Sequence, residues 1–181
     1  ECAASFMLSA YNNIPRLTRM LETLAHRFGK KADGVRPFFD KKGLTPFGFP
    51  KPEALANVSE RTLRQCGLGY RAPYLKAMSQ AVASGWMDLE RLRALEDEEL
   101  RSALLTLPGI GEKVVECVML FAYGRGAAFP VDVWIGRAMR EWYFRRRKVS
   151  DKKIREFARK HFGPYCGWAQ QYLYCLARQM P

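Results

Sequence analysis

Apolar residues in this chain recur at steps of three and four, not two. Leu17, Leu21, Leu24 and Phe28 follow Ile14, and the same spacing returns in Leu75, Met78 and Val82, while a later helix carries Ile154, Phe157 and Phe162. That period lines one face of an α-helix, and no alternating stretch supports a strand, so the chain is expected to be all-α. Punctuation places the helices. Asn12 or Asn13 can cap the helix opening at Ile14, Pro15 suits its first turn, and Gly29 ends it. Short helices are predicted near 52–56 and 60–65, then GLGYRAPY interrupts and a further helix ends at Gly85. Helices are also expected over 89–95, 97–105 and 112–123, the last of these apolar nearly all round and therefore buried. Asp132 caps a helix running to Tyr143, Ser150 caps the next, and the final helix covers 165–179. The Gly-, Pro- and charge-rich stretch KKADGVRPFFDKKGLTPFGFPKP reads as a long irregular connection. The opening ECAASFMLSAYNN reads as mid-helix, which predicts sequence upstream of it.

Charge narrows the partner. Lys and Arg number 30 against 18 Asp and Glu, a net charge of +12. Such an excess suits a polyanion, most often nucleic acid, the plain alternative being a merely solvated basic surface. No run of eighteen uncharged apolar residues occurs, so no membrane span is expected. The five cysteines, Cys2, Cys66, Cys117, Cys166 and Cys175, include no C-x-x-C pair. A zinc site or iron–sulfur cluster is therefore not expected, nor any other cofactor. Scattered reduced thiols instead predict a reducing, intracellular location, bacterial cytoplasm or nucleoid, or a nucleus.

The stretch LPGIGEKVVEC, from Leu107 to Cys117, carries the first sign of chemistry. Pro108 fixes one dihedral, while Gly109 and Gly111 tolerate left-handed angles and close approach of another backbone. Amides after such a turn, Val114's among them, point from the start of the second helix and can hold a phosphate. Lys113 enters that first turn, where the helix dipole disfavours a cation. Dipole and apolar surroundings both favour the neutral amine, which is a nucleophile. The other use of such a lysine is to snorkel to water or bind phosphate as a cation. Nineteen residues on, in FPVDVW, Asp132 stands just before a helix, where the dipole favours the carboxylate. It can steady positive charge there, or serve only as an N-cap. Gln170 and Tyr174 are four apart and so share a helical face.

Taken together, SAYNNIPR, GLGYRA, LPGIGEKVVEC, FPVDV and GPYCGWAQQYLY, in that order over nearly the whole chain, resemble the helix-hairpin-helix DNA glycosylases. Within that superfamily (HhH-GPD, which includes endonuclease III) the 8-oxoguanine DNA glycosylase/AP lyases fit best. The resemblance implies a two-lobed helical fold with its active site in the cleft between lobes. One glycosylase unit would cover 1–181, without the N-terminal β-rich domain of the animal enzymes. One lobe would span roughly 30–130, the other the N-terminal helices plus 131–181, with the hairpin at about 98–123.

By the same resemblance, the partner is duplex DNA carrying a damaged base, bound by a monomer that flips the nucleotide out. Lys113 would attack its anomeric carbon and form a Schiff base, and Asp132 would stabilise the oxocarbenium-like charge. Cys117, Phe121, Gln170 and Tyr174 would form the base pocket. Asn12, Asn13, Arg16, Tyr70 and Arg71 would contact the estranged cytosine and wedge the stack, while Pro108, Gly109, Gly111 and Val114 would hold phosphate. The 145–148 run, RRRK, reads as a solvated or phosphate-facing patch.

Departures are local. Tyr11 stands where a third asparagine is usual, Trp134 where a histidine follows the aspartate, Tyr174 where phenylalanine stacks, and Ala177 where an aspartate contacts the base. Two other readings compete: a glycosylase for an alkylated or mismatched base, and a DNA-binding hairpin without catalysis. Lys113 argues against the monofunctional glycosylases, and Lys113 paired with Asp132 argues against the bare module.

Overall fold

The computed structural model describes residues 1–31 and 47–179, and most of the expected connection 30–52 lies outside them. Among the described residues the structure is helical, apart from an isolated bridge between Lys31 and Phe47. It divides into two compact units, Glu1–Ala94 with Leu107–Gly109 and Leu95–Thr106 with Ile110–Pro181. The N-terminal helices thus group with the middle of the chain, a different partition from the one the sequence suggests.

The first unit holds α1 (Cys2–Leu8), α2 (Ile14–Phe28), α3 (Pro52–Ala56), α4 (Glu60–Leu63), α5 (Ala72–Ala83) and α6 (Leu89–Arg93). Asn13 is the cap of α2, its Oδ1 accepting the Arg16 N–H at 2.9 Å, and Gly29 ends that helix as expected. Helix α3 packs on α5, and Leu55, Leu63, Leu68 and Leu75 are buried in this unit. The expected break at GLGYRAPY is not a loop. It is a wide turn over Arg64–Leu68 followed by a tight one over Gly69–Arg71, a succession that Gly67 permits by adopting φ +86°.

The second unit holds α7 (Asp97–Leu105), α8 (Glu112–Phe121), α9 (Val133–Trp142), α10 (Asp151–Phe162) and α11 (Cys166–Ala177). Ser150 caps α10 and Asp132 caps α9, as their types and positions predict. The core is built on Phe129, Val131, Ile135, Met139, Ile154, Ala158, Cys166 and Leu173. Gly167 lets α11 come close: a Cβ there would lie 2.3 Å from the Leu120 side chain, and its N–H reaches the Gly126 carbonyl at 2.7 Å. Helix α8 ends at Phe121, before the expected Tyr123, and it is not apolar all round. Glu116, in its middle, is fully buried.

Candidate active site

The hairpin turn between α7 and α8 is anchored by Leu107 and Ile110, both buried, while Pro108 is exposed. Gly109 has φ +81°, and a Cβ there would sit 2.7 Å from Cγ of Tyr74, so neither the dihedral nor the space admits a side chain. Gly111 differs: its φ is −105°, and nothing lies within 4 Å of a Cβ built there. As N-cap of α8 it accepts the first helical bond, from Val115 N–H at 3.0 Å. The amides ahead of that bond precede the helical ladder. The Val114 side chain is buried, so only its main-chain N–H can serve a phosphate.

Lys113 stands half-buried in the first turn of α8. Cys117 and Phe121 follow at four-residue steps on the same face, the first buried and the second 49% exposed. Across the fold, Asp132 directs Oδ1 to the Ile135 N–H at 2.8 Å and starts α9. Capping and a charge-stabilising role are thus compatible, because one carboxylate oxygen makes the cap.

The segment 129–132 leads into α9, and buried polar side chains pin it. Glu116 of α8 accepts the Phe129 N–H through Oε2 at 2.6 Å. Gln170 of α11, only 4% exposed, donates Nε2 to the Pro130 carbonyl at 3.0 Å and accepts from Gln171 through Oε1. Tyr174, one turn beyond, packs half-buried against the core, with the Arg178 guanidinium 5.9 Å from its ring centre. Ala177 is buried and offers no polar group, and Trp134 lies under the Arg137 guanidinium at 5.5 Å. The structure therefore ties the helices of Lys113, Asp132 and Gln170 to one short segment.

Glu116 is the site residue that sequence reasoning missed. Its Oε1 pairs with Arg101 of α7 and, at 3.0 Å, with Arg159 of α10, while Arg155 Nε stands at 3.8 Å. Arg159 also donates Nε to the Ala127 carbonyl at 3.3 Å. Burial pulls the Arg101 pKa down, but the hydrogen bond it donates to Glu116 and the charges of Glu116, Glu112 and Glu98 outweigh it, and the net shift is upward. The only sequence signal was an acidic residue set within the apolar run that follows Lys113, from Val114 to Phe121.

In the first unit, the two motifs expected to meet one nucleotide do lie together. Arg71 is 2% exposed, and its guanidinium donates to the carbonyls of Ala10 and, at 3.1 Å, Tyr11, with Nε 3.2 Å from Ala10 O. It also lies 4.3 Å from the ring centre of Tyr70, which is half exposed. Arg71 thus braces the turn that carries the asparagines, with Nε and Nη2 both engaged with main chain. Asn12 likewise turns inward, donating to the Leu8 carbonyl at 3.1 Å and accepting the Asn13 N–H at 3.0 Å. Tyr11 is 98% exposed at φ +49°, and Arg16 is exposed.

No group of His, Cys, Asp or Glu among the described residues is placed to hold a metal ion, and none of their helices is long and apolar enough to cross a membrane. A helical hairpin with a Pro-Gly turn, a lysine opening its second helix and an aspartate capping the next define a helix-hairpin-helix unit. The chain belongs to the HhH-GPD superfamily of base excision DNA repair proteins, whose family model matches residues 4–164. It is 33% identical over 198 residues to a probable N-glycosylase/DNA lyase of Methanothermobacter thermautotrophicus, covering 99% of this chain and 61% of that one. The 8-oxoguanine glycosylase/lyase of Clostridium acetobutylicum, solved with double-stranded DNA containing cytosine opposite 8-oxoG, matches with a TM-score of 0.88. That match is 36% identical and covers 98% of this chain and 58% of the other. A structure of MBOgg1 with a low-affinity DNA ligand matches with a TM-score of 0.91 and 36% identity, over 99% of this chain and 59% of that one. The chain spans about three fifths of the length of these relatives.

Proposed function

We propose that this chain is the catalytic unit of a bifunctional DNA glycosylase/AP lyase that removes oxidised guanine, 8-oxoguanine opposite cytosine, from duplex DNA as a monomer. The observation that carries the reading is that Lys113 and Asp132 each stand at a helix start, and that Glu116 and Phe129 tie the two helices together. Relatives named a probable N-glycosylase/DNA lyase and an 8-oxoguanine glycosylase/lyase support the same chemistry.

The turn Pro108, Gly109 and Gly111, with the Val114 amide, grips a strand phosphate, and the basic surface supplies the rest of the attraction. Asn13, Arg16 and Tyr70 form the face toward the base left behind, while Asn12 and Arg71 brace that turn from within through main-chain carbonyls. In the pocket, Gln170 and Tyr174 meet the edge and ring of the flipped base, and Cys117 and Phe121 lie on the stripe below Lys113. Lys113 Nζ bonds to C1′ as the N-glycosidic bond breaks, and the base leaves with the bonding electrons and takes up the proton that Nζ sheds on becoming a secondary amine. Asp132 balances the positive charge that builds on the sugar. Ring opening gives the Schiff base, and loss of a C2′ proton then expels the 3′ phosphate. The chain's own residues suffice for these steps, so no cofactor is invoked.

The test is release of free base from duplexes carrying 8-oxoguanine, 3-methyladenine or hypoxanthine, each opposite all four bases, followed by mass spectrometry. The reading expects 8-oxoguanine to be released fastest opposite cytosine, with strand nicking. Release of an alkylated or deaminated purine alone would replace the substrate, and binding without release of any base would leave a DNA-binding module.

A further inference from the structure

Glu116 is a carboxylate with no exposed surface, three residues after Lys113 on α8. Burying a charge is costly, and an apolar cluster of similar volume often stabilises a fold as well as a buried ion pair does. Stability alone does not call for this group. What an apolar residue there could not do is accept the Phe129 N–H, at 2.6 Å, while being held in place by guanidinium groups from two other helices. Three residues after Phe129 comes Asp132. The tie therefore runs from the helix of the nucleophile to the segment that delivers the carboxylate. Arg159 strengthens it by holding both Glu116 and the Ala127 carbonyl.

Resting on the catalytic reading above, we propose that Glu116 is the positioning residue of the site: through Phe129 it sets Asp132 relative to Lys113 without touching DNA. Its contribution falls on the step that uses both groups. Base excision needs the carboxylate to face charge on the sugar, and such stabilisation depends on placement within about 0.5 Å. Capture of an aldehyde already present at an abasic site needs Lys113 alone.

The experiment compares Glu116→Gln with the parent chain in two single-turnover assays, excision of 8-oxoguanine and borohydride capture on a preformed abasic duplex. Excision is expected to fall about 30-fold or more, while capture and affinity for a duplex with a tetrahydrofuran abasic analogue stay within about threefold. Hydrogen exchange should quicken at the Phe129 amide and over the start of α9, because glutamine keeps an oxygen for that N–H but loses the charge pairs with Arg101 and Arg159 that hold it there. Arg159→Leu, which removes two ties but leaves Glu116, repeats the pattern more weakly and serves if Glu116→Gln does not fold. Equal loss of excision and capture, or no loss of either, would overturn the positioning role. A parent chain that neither excises nor captures would overturn the proposed function instead.

Discussion

The side chain of Gln170 donates its amide N–H to the carbonyl of Pro130 at 3.0 Å, inside a buried region that joins α11 to the segment before Asp132. Truncating it strands a buried carbonyl. Gln170→Ala is expected to lose about 1–3 kcal/mol of stability in denaturant unfolding, the cost of an unsatisfied polar group. It should also slow base excision more than abasic-site capture, because the same amide faces the base in the proposed complex. Unchanged stability would show that the carbonyl finds another partner.

Asp132 caps α9, so a substitution there must separate structure from chemistry. Asparagine also caps helices well, keeping an oxygen for the Ile135 N–H. Asp132→Asn is therefore expected to keep stability within about 1 kcal/mol and duplex affinity within about twofold. Excision should drop by about 100-fold or more, the order seen when a single electrostatic stabiliser is removed. An equal rate in variant and parent would remove Asp132 from the mechanism.

The two glycines of the hairpin should answer differently to alanine. Gly109→Ala meets both φ +81° and Tyr74, and is expected to destabilise by about 1–3 kcal/mol. Gly111 has an ordinary dihedral and open space around it, so Gly111→Ala should change stability by less than about 1 kcal/mol. If that opening is where a phosphate comes close, Gly111→Ala nonetheless weakens duplex binding, measured by fluorescence anisotropy at fixed salt. Unaltered affinity would move the phosphate elsewhere.

Cysteine chemistry gives a check on packing. Burial pushes the Cys166 thiol from its ordinary 9.0 up to about 11, Arg159 pulling it down and Glu116 adding to the rise. It should stay protonated and unreactive at pH 8, whereas exposed Cys175 alkylates readily. The unfolded chain ionises first as pH rises past 9.0, so this group's share of stability is full below that value. It is lost as the pH climbs through about 11. Peptide mapping after iodoacetamide treatment checks the labelling order, and a Cys166 that labels as fast as Cys175 would contradict the burial.

Much of the fold was legible because its signals are local. The α2 helix was readable from Asn13 to Gly29, and the caps at Asp132 and Ser150 fell where their residue types placed them, since a cap and a period need only neighbouring residues. The Lys113 and Asp132 motifs were legible for the same reason. Glu116 was not, because its partners Arg101, Arg155 and Arg159 come from helices 15 to 43 residues away, and an acid within an apolar run carries no sign of them. Arg71 is the second case. Its type suggests reach toward a base, yet its Nε and Nη2 are taken by carbonyls 60 and 61 residues upstream, which only the tertiary fold reveals.

The most direct test of the central claim is borohydride trapping on a duplex with 8-oxoguanine opposite cytosine, run with the parent chain and with Lys113→Gln. The nucleophilic role of Lys113 predicts a covalent protein–DNA adduct for the parent, its mass placed by peptide mapping on Lys113, and none for the variant. An adduct that persists at full yield in Lys113→Gln would contradict it.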